Sequence, residues 1–206
     1  MKKILFTTVV ILFFVKLVYS QQTDTLSFLQ TRTFTFSYFG NNLLNPGLKS
    51  SINFTLSEET IKKTKTRKNN KIIDKSYNNK WILSGNIGFF WHPQSHVAVF
   101  NYYLISMQKL KLKSNRITLF GIGPGIYRSF YPETYTVNKA GTVDKIILGG
   151  RMYFAPVFSF GSGKEINNYF FTERIFTTNL MFLFDYNTGI VPLLNLELAF
   201  TFDFKR

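Results

Sequence analysis

Three side chains that could do chemistry, His92, Ser95 and His96, surround one Pro-containing turn. A serine beside a histidine is the nucleophile–base combination of hydrolases, and two nearby histidines form half of many metal sites. Neither set is complete, because no acidic residue lies close by in the sequence to orient the base or to bind the metal. Adjacent Ser95 and His96 on a strand would also point to opposite faces. We therefore predict no catalytic residue and no metal site, and we assign the histidines to hydrogen bonding within the turn.

The glycine-containing segments predict no cofactor either. Residues 161–164 read Gly-Ser-Gly-Lys, which lacks the spacing and the final Ser or Thr of a phosphate-binding loop, and we expect residues 161–163 to break a strand. Gly121, Gly123 and Gly125 occupy a strand-like stretch, where glycine permits sharp curvature or close packing. The sequence contains no Cys, which excludes disulfides and Cys-ligated metal.

The strongest charge feature is the segment 62–80, which has eight basic residues against a single acidic one, Asp74. Two interpretations are open: a basic surface that contacts the phosphates of lipopolysaccharide or another anionic polymer, or a solvated connection without a ligand. The sequence Lys-Asn-Asn-Lys at 68–71 suits the tip of a long hairpin. The possible anion-binding residues are Lys62, Lys63, Lys65, Arg67, Lys68, Lys71 and Lys75.

The elements that position these residues are β-strands, and the last one is the clearest. Apolar residues occupy every even position from Leu194 to Phe204, and mainly polar residues occupy the odd positions between them. Side chains alternate between the two faces of a strand, so this pattern predicts one apolar and one polar face. Comparable runs separated by turn residues predict eight strands in all: 31–39, 48–57, 81–91, 96–108, 115–131, 146–160, 174–185 and 193–204.

Residues 1–20 have the pattern of a secretory signal peptide: Met-Lys-Lys, an apolar run from Ile4 to Val15, and Val18 and Ser20 before Gln21. The run is shorter than the roughly 20 residues of a membrane-spanning helix. We therefore predict export of a mature chain that starts at Gln21. Residues 21–30 would be an N-terminal extension and residues 31–206 the folded domain, with a basic hairpin or loop at 58–80.

The composition favours an all-β fold in a membrane over a disordered chain or a nucleic-acid-binding domain. There are 24 Phe and 11 Tyr, and charged residues make up only 17% of the sequence although the net charge is +14. Charge is scarce within the strands, aromatic residues cluster toward their ends, and the polar faces carry Thr, Ser and Asn. These features predict an antiparallel up-and-down transmembrane β-barrel of eight strands, with ten as the alternative count. Export would separate the chain from nucleic acid.

Three charged residues lie on predicted polar faces, Arg151, Glu197 and Asp203. The interior of an eight-stranded barrel has room for side chains only. Charges buried there are costly unless they are paired. We therefore predict that these three residues form a charge network in the lumen.

The terminal strand resembles the C-terminal recognition strand of Gram-negative outer-membrane barrels, although Lys205 and Arg206 follow its last aromatic residue, Phe204. The wider chain resembles small outer-membrane β-barrel proteins of the Bacteroidota. The pieces that carry this resemblance are Gly40-Asn41-Asn42 with Asn45-Pro46-Gly47, His92-Pro93 with His96, and Asp185-Tyr186-Asn187 with Pro192. The resemblance implies an outer-membrane location, contact with membrane lipid, and insertion by the barrel-assembly machinery through the C-terminal strand.

The function predicted from the sequence is therefore that of a non-enzymatic outer-membrane barrel with a structural, binding or assembly role. Three alternatives remain open: a narrow transport pore, an outer-membrane lipid hydrolase that uses Ser95 with a histidine, and a soluble secreted β-sandwich. Specific protein partners are not indicated.

Overall fold

The computed structural model describes residues 32–203, apart from 42–44, 67–71, 94, 133, 139–140, 147–148, 167–169 and 187–188. The side chains of residues 64–66, 72–74 and 186 are also not described. The predicted signal peptide at 1–20 and the extension at 21–30 lie outside the described residues, as does Phe204. No helix long and apolar enough to cross a membrane occurs among the residues that the structure describes.

The regular structure of the described residues is β-strand throughout. The strands are β1 (Arg32–Asn41), β2 (Asn45–Thr66), β3 (Ile72–His92), β4 (His96–Lys111), β5 (Arg116–Gly123), β6 (Gly125–Phe130), β7 (Tyr135–Val137), β8 (Val143–Lys145), β9 (Gly150–Phe154), β10 (Val157–Glu165), β11 (Glu173–Tyr186) and β12 (Gly189–Asp203).

Eight of these strands form a closed antiparallel ring. Its order is β1–β2–β3–β4–β5–β10–β11–β12, and β12 pairs with β1 to complete it. The strands β6 and β9 continue β5 and β10, which are interrupted at Pro124 and Pro156 because proline has no N–H to donate to the ladder. The proline carbonyls still accept hydrogen bonds: the N–H of Tyr103 donates to Pro124 and the N–H of Phe182 donates to Pro156, both at 3.0 Å. The predicted strands 115–131 and 146–160 each correspond to one of these interrupted pairs.

The predicted strand break at residues 161–163 is wrong, because β10 runs through them to Glu165. Glycine is accommodated there by close approach of the neighbouring strand: a Cβ atom on Gly163 would collide with the carbonyl oxygen of Arg174. The glycines therefore bring β10 and β11 together, as we expected for the other strand glycines.

The two faces of the ring differ in chemistry, as β4 illustrates. Its even-numbered residues from Ala98 to Leu110 are buried inside the ring, and its odd-numbered residues from Val97 to Lys109 are exposed outside it. Each of the eight strands of the ring, counted with the continuations β6 and β9, contributes exposed apolar residues to the outer face. We call this set the apolar belt: Phe36, Tyr38, Leu48, Ile52, Trp81, Ile87, Phe89, Trp91, Val97, Val99, Tyr103, Ile105, Met107, Phe120, Ile122, Ile126, Phe154, Phe158, Phe160, Phe176, Phe184, Leu194 and Leu198.

The ring has two distinct ends. The end that carries Arg32 and Asp203, which we call the terminal end, also carries the connections 67–71, 112–115 and 166–172. The opposite end, which we call the far end, carries the connections 42–44, 93–95, 131–149 and 187–188, and the β7–β8 hairpin lies within the third of these.

A long arm of β2 and β3 extends from the terminal end, and β4 stays paired with β3 along the first part of this arm. The strand β1 begins opposite Phe54 of β2, and β4 ends opposite Tyr77 of β3, but β2 and β3 remain paired as far as Thr66 and Ile72. At about 3.3 Å per residue, β2 therefore extends roughly 40 Å beyond the start of β1. The basic segment predicted as a hairpin or loop at 58–80 belongs to this arm, so the predicted strands 48–57 and 81–91 were too short.

The close approach at Gly47 generates a prediction about stability. Gly47 faces the interior between β1 and β3, where a Cβ atom would collide with the carbonyl oxygen of Phe89 and approach Phe90. We expect Gly47→Ala to lower the free energy of unfolding by about 1–3 kcal/mol, the usual cost of overpacking. The matched control is Gly85→Ala, whose Cβ would meet only the Tyr103 ring at 3.6 Å. Urea unfolding followed by circular dichroism compares the two, and equal stability would contradict the packing argument.

Candidate functional site: the interior of the ring

A buried ion pair lies in the middle of the lumen. Lys49 on β2 and Glu197 on β12 come from the two strands that flank β1, and Nζ of Lys49 lies 2.6 Å from Oε1 of Glu197. Lys49 is only 6% exposed and Glu197 only 3%. Lys49 Nζ also donates to the hydroxyl of Tyr102 at 3.2 Å, and Asn179 Nδ2 donates to Oε2 of Glu197 at 2.8 Å. Both carboxylate oxygens therefore have a donor, which a buried charge requires.

Side-chain amides continue this polar cluster on both sides of the ion pair. Asn41 Nδ2 donates to Oδ1 of Asn195 at 2.9 Å, and Asn45 Nδ2 donates to Oδ1 of Asn41 at 3.4 Å. Asn86 Nδ2 donates to the carbonyl of Tyr102 at 3.3 Å. These contacts connect β1, β2, β3, β4 and β12 across the interior. The polar faces that the sequence predicts are thus used for hydrogen bonds between strands.

An apolar cluster fills the lumen at the far end. The ring centroids of Phe39 and Phe100 are 4.5 Å apart, and Phe90 packs against both Phe100 and Tyr127. We call this set the far-end cluster: Phe39, Phe90, Ala98, Phe100, Tyr102, Leu104, Tyr127, Tyr153, Ala155, Val157, Met181 and Leu183. Val191 and Leu193 pack against it. It lies between the ion pair and the far end, where the amides of Asn41 and Asn195 are also buried.

On the other side of the ion pair, the lumen contains a cavity of about 290 Å³. Lys49 and Glu197 line its inner part, and Glu165, Glu173 and Asp203 line it at the terminal end. Its wall is rich in hydroxyl groups, from Thr35, Ser51, Ser84, Ser106, Ser159, Thr177 and Thr201. The interior therefore forms a polar cavity on the terminal side of the far-end cluster.

The rim of this cavity carries the carboxylates of Glu165, Glu173 and Asp203 and the ammonium group of Lys80. Gln108 Nε2 donates to Oε1 of Glu173 at 2.8 Å. On the arm, Lys80 Nζ lies 3.5 Å from Oε1 of Glu58, which also accepts from Asn78 Nδ2 at 2.5 Å. Within the described ranges, no group of three or more His or carboxylate side chains is arranged to hold a metal ion. The arrangement can bind small polar groups by hydrogen bonds.

The three residues predicted to form a lumen charge network are not brought together. Glu197 is buried in the middle of the lumen, Asp203 lies at the rim of the terminal end, and Arg151 is exposed near the start of β9 at the far end. The partner of Glu197 is Lys49, which sequence reasoning missed. The sequence contained a signal for this residue, because Lys49 lies two residues before Ser51 and so continues the alternating polar positions Ser51, Asn53 and Thr55.

Three of the predicted anion-binding residues have described side chains, and all three lie on the arm. Lys62 and Lys63 are exposed on β2, and Lys75 is half-buried on β3. The side chain of Lys65 and all of Arg67, Lys68 and Lys71 lie outside the described residues. An anion surface formed by the whole set therefore stays a prediction.

At the far end, the expectation that Ser95 and His96 point to opposite faces is wrong. Ser95 lies in the turn before β4 rather than within the strand, and its hydroxyl is 2.5 Å from Nδ1 of His96. Nε2 of His96 is 3.0 Å from the hydroxyl of Tyr127, and the rings of His92 and His96 stack with centroids 5.5 Å apart. The predicted hydrogen-bonding role is confirmed for His96, whereas Nδ1 of His92 is buried without a hydrogen-bond partner.

Two effects lower the pKa of His96 below its ordinary value of 6.5. The larger is partial burial, which disfavours the charged imidazolium, and the smaller is repulsion from His92. A neutral His96 beside a serine is the first half of a hydrolase site. Its other nitrogen meets a neutral phenol, whereas hydrolases commonly use a carboxylate to stabilise the imidazolium.

Comparisons with family models, with curated proteins and with solved structures found no match for this chain.

The ion pair generates a prediction about stability. Lys49→Met leaves Glu197 buried without its cation, and we expect a loss of about 3–5 kcal/mol in the free energy of unfolding. The double variant Lys49→Met, Glu197→Gln removes both charges and should recover most of that loss. Urea unfolding of both variants and of Glu197→Gln completes a double-mutant cycle. Additive losses would show that the two charges do not interact.

The histidine pair generates a prediction about pH. The ring proton signals of His96 should titrate with a midpoint below 6.5, and His92→Gln should raise that midpoint because it removes the second cation. Since the unfolded chain then binds the proton more tightly, acidification from the unfolded pKa through the folded one should destabilise the fold. NMR titration of protein labelled at histidine measures this. A midpoint above 6.5, or one unchanged by His92→Gln, would contradict the assignment.

Proposed function

We propose that this protein is an outer-membrane β-barrel that is closed rather than porous and acts as a structural or binding component without enzymatic activity. The observation that carries the proposal is the apolar belt, to which every position of the eight-stranded ring contributes. Two of its members, Trp91 and Phe160, are 54% and 59% exposed. A monomeric soluble protein rarely exposes a contiguous apolar surface of more than a few hundred Å².

The distribution of polarity supports a lipid environment. Charged and amide groups such as Lys49, Glu197 and Asn195 are buried inside the ring, while the outer face of every ring strand carries exposed aromatic or aliphatic groups. In hydrocarbon every backbone N–H and C=O must be paired within the protein, and a ring closed by β1 and β12 achieves this without a free edge along the paired segments. A soluble β-sandwich would instead place the apolar face between two packed sheets.

The aromatic residues at the borders of the belt favour a defined position in the membrane. Trp91 and Tyr38 lie near the far end, where headgroups would meet the protein. We take the membrane-spanning part of β3 to end at Trp91 and that of β4 to begin at Val97. The turn that contains His92, Ser95 and His96 then lies outside the membrane.

The location of the arm bears on the partner of its basic residues. In outer-membrane barrels both chain termini face the periplasm, so the terminal end and the arm would lie there. Lipopolysaccharide occupies the outer leaflet, on the opposite side. The arm would therefore reach periplasmic anions rather than lipopolysaccharide.

The far-end cluster favours a closed lumen over a narrow transport pore. Phe39, Phe90 and Phe100 are each 3% exposed or less, and they lie between the cavity and the far end. An eight-stranded ring has space only for such side chains. The cavity is therefore suited to holding a polar group from the terminal side rather than to conducting solutes.

Quenching of the native tryptophans tests the membrane proposal. The sequence contains only two Trp, and both Trp81 and Trp91 face outward in the belt. The full chain, reconstituted into vesicles of brominated phospholipid, should show quenched emission compared with ordinary phospholipid. The variants Trp81→Phe and Trp91→Phe report each position separately and serve as controls for each other.

Emission that is quenched by aqueous iodide and not by brominated lipid would overturn the proposal and favour a soluble protein. The same vesicles, fused to a planar bilayer, should show no conductance. A steady conductance of the folded protein would replace the closed barrel by the alternative of a narrow pore.

A further inference from the structure

Four basic side chains form one continuous row on the outer face, and we call them the basic row: Lys111, Arg116, Lys164 and Arg174. The register places Lys111 opposite Arg116, Arg116 opposite Lys164, and Lys164 opposite Arg174, on the neighbouring strands β4, β5, β10 and β11. Neighbouring strands are about 4.8 Å apart, so four positive charges span roughly 14 Å.

The basic row faces outward, away from the lumen. Leu110, Ile117 and Ile175, each adjacent in sequence to a member of the row, are buried together inside the ring. Since side chains alternate, their neighbours Lys111, Arg116 and Arg174 lie on the outer face. The nearby acids Glu165 and Glu173 line the interior cavity, on the other side of the sheet.

This arrangement is unfavourable without an anion. Like charges directly opposite each other on neighbouring strands are destabilising. Among the described residues, none of the four makes an ion pair, and no acidic residue interrupts the row. The next position beyond Arg174 is Phe200 on β12, so the row gives way to apolar residues rather than to acids.

The surface beside the row is suited to an acyl chain. The adjacent outward positions toward the far end are Ser162 on β10, Phe176 on β11 and Leu198 on β12. Together with Arg116, Lys164 and Arg174 they line one shallow groove. The small Ser162 lies between the basic residues and the apolar side chains that begin the belt. The groove is therefore cationic at one end and apolar at the other.

We propose that this groove binds an anionic phospholipid of the membrane leaflet at the terminal end. The headgroup phosphate would be held by Arg116, Lys164 and Arg174, since guanidinium groups bind phosphate oxygens in pairs. One acyl chain would lie along Phe176 and Leu198. This inference rests on the proposed membrane location and adds to it a specific lipid class and site.

The test compares lipid binding by two variants that lose the same two residue types. Lys164→Gln, Arg174→Gln removes half of the basic row, and Lys145→Gln, Arg128→Gln removes one Lys and one exposed Arg toward the far end. Full-length protein in neutral detergent is titrated with phosphatidylglycerol or with phosphatidylcholine, and bound lipid is counted by native mass spectrometry. A gel shift between unboiled and boiled samples confirms that each variant is folded.

We expect wild type and the far-end control to prefer phosphatidylglycerol, and the basic-row variant to lose about tenfold in affinity for it. Equal affinity of the basic-row variant and wild type would overturn the proposal, as would an equal loss in the far-end control. Displacement of the lipid by inorganic phosphate at equal concentration would also overturn it, because it would show an anion site without lipid specificity. These outcomes are separate from failure of the membrane proposal, because tryptophan quenching by brominated lipid is measured independently of the basic row.

Discussion

The Lys49–Glu197 ion pair is the interaction on which the interior depends. Its two residues come from the strands on either side of β1, so the pair spans the position where the first and last strands close the ring. A buried charge is tolerated only when it is paired and hydrogen-bonded. Tyr102 and Asn179 supply the further contacts, from β4 and β11. The register of four strands with respect to β1 is thereby tied to one electrostatic requirement.

The ion pair also separates two regions of different polarity in the lumen. Toward the far end lie aromatic rings such as Phe39 and Phe100, together with the buried amides of Asn41 and Asn195. Toward the terminal end, hydroxyl groups and carboxylates line a cavity, and the arm of β2 and β3 continues beyond it. The aromatic cluster and the carboxylate-lined cavity therefore lie on opposite sides of the ion pair.

The outer face also differs in polarity between its two ends. The apolar belt occupies most of its height, and the basic row follows where β4, β5, β10 and β11 approach the terminal end. Long basic side chains can place their methylene groups against apolar surface while the charge reaches polar surroundings. The basic row and the cavity rim thus lie at the same end of the ring on opposite faces of the sheet. One face carries cations outward, and the other carries carboxylates inward.

The sequence by itself determined the all-β class, the eight strand positions of the ring and the face of each clear strand that is polar. These follow from the two-residue alternation of side chains, which is local and visible in segments such as 194–204. The lengths of β2 and β3 were predicted too short, because Lys and Asn are uncommon in strands. The Lys- and Asn-rich residues of the arm are extended because β2 and β3 pair with each other there.

The tertiary structure alone decided which charged residues meet. Lys49 and Glu197 are far apart in the chain, and the sequence suggested Arg151 and Asp203 as the companions of Glu197 instead. In the same way, Ser95 contacts His96 because Ser95 lies in the turn, one residue before β4 begins. The basic row combines residues from four strands that are isolated in sequence. Alternation tells which face a side chain takes, but its neighbours across the sheet depend on strand register, and register is set only when the ring closes.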